Sequence, residues 1–222
     1  MTNETKLSKI IIVYSLQRTG THLTINTIVK NINLNDSYLV YNLDKIDNFD
    51  VFIKENNYEF IIFKTHIYNN VMSLLKIVDK YEVNFVLPST EFYRGCISYL
   101  NYKSTWSDVS DSNKQIIVVD ERYNKYIEYY KNYDYLINNS YNAIMIEREN
   151  YDSNEKIIKI IHKLSKFLNL KIKDKNNYIF PDDKQFKEAN ENELVTVQPL
   201  VRYNLKIFDS TIDYIKKLSG MI

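Results

Sequence analysis

Apolar residues fall along this chain in two interleaved patterns. Short runs with little polar alternation occur at Ile10–Tyr14 (IIIVY), Phe60–Phe63 (FIIF), Val83–Leu87 (VNFVL) and Ala143–Ile146 (AIMI). Runs of that kind predict strands covered on both faces. Between them the spacing switches to a helical period, over Leu23–Ile32, Val71–Lys80, Phe92–Tyr102, the Tyr-rich Arg122–Ile137, and Ser153–Leu168. The last is the clearest amphipathic helix, with Ile157, Ile158, Ile160, Ile161, Leu164, Phe167 and Leu168 forming one broad face. Pro88 is expected to end the third strand, because proline cannot donate to a ladder.

Strands that are continuous rather than alternating, each followed by a helix, predict an α/β protein. The expected architecture is three-layer α/β/α, with a central, mostly parallel sheet. No repeat, linker or composition break divides residues 1–222, so a single domain is expected. The polar, weakly patterned stretch Lys171–Glu193 reads as a surface loop over the active site.

Composition narrows the partners. A formal net charge of +1 gives no whole-surface attraction to nucleic acid or to an anionic membrane, although one pocket still needs only a few cations to hold a phosphate. The apolar run behind the polar N-terminus is too short for a signal-peptide core, and no stretch approaches a membrane span. With Cys96 the one cysteine, an internal disulfide is excluded, and the chain reads as cytoplasmic. Three scattered histidines and no carboxylate set at a metal-binding spacing lead us to expect no metal.

Open α/β sheets bind ligands beyond the carboxyl ends of their strands. The first such end carries Ser15-Leu16-Gln17-Arg18-Thr19-Gly20-Thr21-His22-Leu23, a hydroxyl-rich bend that opens a helix. Backbone N–H groups there, with the Thr19 and Thr21 hydroxyls and the Arg18 charge, suit an anion. An ordinary capped strand–helix junction would need the same threonines. Walker A is absent, since no glycine precedes Gly20 and no lysine follows it. The second strand ends in Lys64-Thr65-His66, which puts a cation and a base on one side of an extended segment.

Arg18-Thr19-Gly20-Thr21-His22 resembles the Lys/Arg-Ser-Gly-Thr-Thr loop of sulfotransferases that use PAPS (3′-phosphoadenosine-5′-phosphosulfate). Lys64-Thr65-His66 resembles the Lys-Thr-His of many cytosolic members. The resemblance implies transfer of a sulfuryl group from PAPS to a hydroxyl or amine, leaving PAP (adenosine 3′,5′-bisphosphate). It implies donor contacts from Arg18, Thr19, Gly20, Thr21, His22 and Leu23, where Leu23 replaces the tryptophan that many members stack on adenine. His66 inherits the part of catalytic base, and Lys64 and Arg18 those of charge-stabilising cations.

The third strand departs from the family. An arginine and a later serine bind the 3′-phosphate there; Ser98 with Tyr99 matches the second, but Pro88 or Thr90 stands in place of the first. Arg94, one turn before Ser98, is the candidate replacement. Residues 143–170 resemble the family's strand, turn and helix, with Arg148-Glu149-Asn150 at the turn, while a late Arg-Lys-Gly element has no counterpart beyond the candidate Arg202. The acceptor is expected to be a small molecule or carbohydrate, lined by the segments Tyr99–Trp106 and Asn176–Glu193. Two other readings stay open: a protein of this fold that has lost the donor and binds a partner, and a P-loop kinase or NTPase with Gln115–Glu121 (QIIVVDE) as a Walker B-like strand.

Overall fold

The structure, a computed structural model, describes residues 8–76, 80–180 and 205–222. Five parallel strands form one sheet: β1 (Lys9–Tyr14), β2 (Tyr38–Asn42), β3 (Phe60–Thr65), β4 (Glu82–Ser89) and β5 (Ala143–Glu147), in the order β2-β3-β1-β4-β5. β1 is therefore central, with β3 in register from Lys9↔Phe60 to Tyr14↔Thr65 and β4 from Lys9↔Glu82 to Val13↔Val86. The chain leaves β1 for the far edge and returns to both of its sides, so the ends of β1, β3 and β4 border one crevice.

Alternate residues of these strands feed two cores. On one face Ile10, Ile12, Tyr14, Ile61, Phe63, Phe85 and Leu87 pack with α2 (Phe49–Glu55), α3 (Tyr68–Leu75), α4 (Phe92–Lys103), α5 (Ser112–Asn138) and α7 (Asp209–Ser219). On the other, Ile11, Val13, Phe60, Ile62, Val86 and Ile146 pack with α1 (Thr21–Asn31) and α6 (Asn154–Phe167). Burial on both faces is why the strands read as unbroken apolar runs, and the three-layer α/β/α expectation holds.

The differences have local causes. β4 runs through Pro88, which pairs with Ile146 of β5. The β1 ladder has already ended at Val86, so the missing N–H breaks no pair with the central strand. β2 has only Leu39 and Val40 buried, the mark of an edge strand, and α2 is seven residues started by Asn48, whose side chain accepts from the Val51 N–H. The Walker B-like strand is overturned: Gln115–Glu121 lies within α5. Asp111 caps that helix by accepting from Lys114 N–H, and its buried positions Gln115, Val118, Val119 and Arg122 have helical spacing. Ile117, in the middle of the apolar run, is 60% exposed.

After α6, residues 171–180 lie along the C-terminal end of α1. Asn31 fixes them, with its Nδ2 donating to Ile179 O and its Oδ1 accepting from Ile179 N–H, both at 2.8 Å. This part of the expected active-site loop thus sits at the end of α1 away from the crevice. The rest of that stretch, and Arg202, lie outside the described residues. Among the described residues no helix is long and apolar enough to cross a membrane.

Candidate active site

The bend between β1 and α1 is held in a shape that ordinary side chains avoid. Arg18 has φ 68° and Gly20 φ 101°, both in the left-handed region. At Gly20 the backbone, not space, demands glycine: a Cβ there would meet Arg148 carbons at 3.5 Å and beyond, an ordinary contact. Thr19, almost wholly buried, donates its hydroxyl to Leu16 O at 2.7 Å, and the Thr21 hydroxyl pairs with that of Ser15. Both hydroxyls are thus engaged within the bend. What faces the crevice is the N-terminal turn of α1, whose N-cap Gly20 supplies no side-chain cap and whose first turn carries no acid. Its leading N–H groups and positive dipole end are arranged for an anion.

Three further groups converge on this turn. Lys64 and Arg18 both depress the imidazole of His22, as does His66, although burial is the larger cause; together they bring His22 to about 4. His22 is therefore neutral near pH 7. His66 follows the end of β3, and its Nδ1 lies 2.7 Å from Ser15 O and 3.3 Å from Ser15 Oγ. More than a third of the residue is open to solvent while the rest of the ring lies against packed protein. Desolvation on that side lowers its pKa, and the Ser15 hydrogen bond and Asp44 oppose the shift without cancelling it.

The crevice thus holds one strand–bend–helix anion turn, two flanking cations and a neutral imidazole from the neighbouring strand. Mouse sulfotransferase SULT7A1, in a crystal structure complexed with PAP, matches 95% of this chain and 82% of its own at a TM-score of 0.60 and 11% identity. The chain has the sulfotransferase fold. No family model and no curated protein sequence matches it.

Within the sulfotransferase fold, α4 brings Ser98 to the bend, where its hydroxyl accepts from Arg18 Nε at 3.4 Å. Arg18 also lies 5.7 Å from the centre of the Tyr102 ring, one turn further on. Arg94 shares that helix but is 63% exposed and paired with Glu91 at 3.6 Å; no described contact joins it to Ser98 or Arg18. Leu23 is half-buried in the first turn of α1. The end of β4 is tied to the turn after β5, because Glu149 Oε1 accepts from the Thr90 hydroxyl at 2.5 Å and from Glu91 N–H at 3.0 Å. Where the family resemblance calls for an arginine, the chain places a threonine held by a carboxylate.

Sequence reasoning missed two cations. Arg148 covers Gly20 and donates from Nη1 to Arg18 O at 3.4 Å, although its turn reads as architecture. Arg122, 2% exposed on α5, donates from Nη2 to Gln17 O at 2.8 Å. An arginine on the buried stripe of a helix, in step with Val118, Val119 and Tyr126, was the available signal. Among the described residues no group of three or more His, Cys, Asp or Glu is placed to hold a metal ion.

Proposed function

We propose that the protein is a sulfotransferase that moves a sulfuryl group from PAPS to a hydroxyl or amine. The observation that carries the reading is the pairing of His66 Nδ1 with Ser15 O beside the bend. A carbonyl only accepts, so Nδ1 must carry the proton, and neutral imidazole then keeps its lone pair on Nε2. No described residue hydrogen-bonds Nε2, and the lowered pKa keeps the ring unprotonated near pH 7.

In this reading the α1 N–H groups and Arg18 hold the phosphosulfate, with Lys64 beside its transferring oxygens. His66 Nε2 takes the acceptor's proton, the acceptor oxygen or nitrogen attacks sulfur in line, and the sulfur–oxygen bond to phosphate breaks to release PAP. A sulfuryl group in transit carries less charge than a phosphoryl group, and side-chain cations and N–H groups can meet it. Each such contact typically supplies roughly 3 kcal/mol. Tyr102 and Trp106, which is 56% exposed under Lys103, offer aromatic surface beside Arg18 for the acceptor. A small molecule or carbohydrate fits such a surface.

Glu149 at the end of β4 favours a second reading, a protein of this fold with an altered donor end that binds a partner without transfer. Calorimetric titration with PAP, followed by mass spectrometry of a metabolite mixture incubated with PAPS, separates the two. Saturable PAP binding with a product heavier by one sulfuryl group supports the enzyme. Absence of PAP binding removes it.

A further inference from the structure

Arg122 buries its guanidinium against the bend between β1 and α1, and its surroundings do not answer its charge. Only Nη2 has a hydrogen-bond partner, the Gln17 carbonyl; Nε is buried with none. The Tyr99 ring lies 4.9 Å from the guanidinium carbon. No carboxylate among the described residues pairs with it. The titratable groups around it include the His66 imidazole and Cys96, Tyr99, Tyr126 and Tyr129, which burial keeps neutral, pushing Cys96 up to about 12. Desolvation, not an acid, sets the behaviour of Arg122 itself, lowering it to about 10.

A buried, unpaired cation is unfavourable in the protein alone, and a fold retains it where something else supplies the opposite charge. The contacts say where that charge would be. Gln17, the residue Arg122 anchors, directly precedes Arg18, the residue held at φ 68°. Nη2 would lie 3.7 Å from a Cβ on Gly95, whose other neighbour is Thr90 at the end of β4. Arg122 therefore stands between the bend and the strand end that lacks its arginine, and its charge is one of those that depress His66.

We propose that Arg122 is a positioning residue of the anion site: it anchors Gln17 so that the bend keeps its shape, and its unanswered charge is balanced by the anion bound above. This rests on the sulfotransferase reading only for the identity of the anion. A structural arginine would serve the fold first; this one serves the ligand, so its removal weakens binding more than folding.

The test compares the full-length protein with Arg122→Met, similar in length without charge, and Arg122→Lys, which keeps charge without the fork. Three measurements are made: NMR titration of His66, assigned with a His66→Gln variant; affinity for PAP by calorimetry at fixed salt; and the urea unfolding midpoint without ligand. In R122M we expect His66 to titrate at higher pH, PAP to bind tenfold or more weakly, and the midpoint to stay level or rise. In R122K, His66 should titrate as in the wild type, with part of the affinity kept. PAP affinity in R122M equal to the wild type's overturns the proposal, whatever His66 does. So does an R122M protein that fails to fold, if R122K folds no better. If the wild type binds no PAP, the donor reading fails by itself. Inorganic sulfate then replaces PAP, and its affinity for the wild type against R122M decides the role of Arg122.

Discussion

His66 Nδ1 lies 2.7 Å from the main-chain oxygen of Ser15, the first residue beyond the central strand. This contact fixes which nitrogen carries the proton, and it ties the imidazole to the segment that begins the bend before α1. A register of β1 against β3 from Lys9↔Phe60 to Tyr14↔Thr65 makes it possible, because both chains leave the sheet at the same height. Replacing His66 by Ala should lower turnover by roughly 10²–10⁴-fold. PAP affinity should stay near the wild type, since in the proposed reading the imidazole takes the acceptor's proton and does not hold the donor. With its pKa below the ordinary roughly 6.5, the rate should be flat from neutral pH upward and decline only on the acid side. A His66→Ala protein with unchanged turnover removes the base from the mechanism.

His22 predicts how stability responds to acid. In the folded protein it titrates near 4 against an ordinary value of 6.5, burial being the main cause and Lys64 the next. The unfolded chain therefore binds the proton more readily, and protonation favours unfolding. The contribution is fully present above about pH 6.5 and is lost as pH falls toward 4; its size is up to about 3 kcal/mol. His66 is shifted in the same direction and adds to the slope. Urea midpoints measured between pH 7 and pH 4 should decline, and His22→Asn should flatten the decline. Sulfate, by placing a negative charge at the turn, should restore stability most at the acid end.

The sheet was legible because its strands are buried on both faces, which leaves an apolar run with few competing interpretations. β2 was not, since an edge strand such as Tyr38–Asn42 buries only Leu39 and Val40 and has no such run. The first turns of α5 resembled a strand because Ile116 to Val119 are consecutive apolar residues. The helix accepts them by turning Ile117 to solvent and Val118 and Val119 inward. The meeting of Arg18, Lys64 and His66 is legible because they lie at or just beyond the ends of two strands that pair in the sheet. Arg122 is legible only as a charge on the buried stripe of α5; its partner is not, because Gln17 and Arg122 meet only when α5 crosses under the bend. Contacts that join distant segments leave no local spacing to read.

Arg18 and Gly20 separate backbone strain from charge. A non-glycine residue at φ 68° costs roughly 1–2 kcal/mol. Arg18→Gly should thus leave the protein as stable or slightly more so, while PAP affinity drops with loss of the guanidinium. Gly20→Ala should act in reverse, retaining every cation but destabilising the fold by roughly 1–2 kcal/mol, the cost of a Cβ at φ 101°. A thermal melt and a PAP titration on each variant check both. Should Arg18→Gly bind PAP at full strength, the bend is not the phosphosulfate site.

The donor's 3′-phosphate is the part of the reading on which the chain differs most from the family it resembles. Arg94 and Ser98 share a face of α4, but Arg94 extends into solvent beside Glu91, whereas Glu149 occupies the end of β4. If the 3′-phosphate docks between them, Arg94→Ala should weaken PAP several-fold, because an exposed cation contributes on the order of 1 kcal/mol. Glu149→Gln should strengthen it, because a carboxylate facing a phosphate is repulsive and the amide oxygen can still accept from Thr90 and Glu91 N–H. AMP, which lacks the 3′-phosphate, should respond to neither change. Equal effects on PAP and AMP would place the phosphate elsewhere, and unchanged PAP affinity in Arg94→Ala would reject that arginine as the replacement.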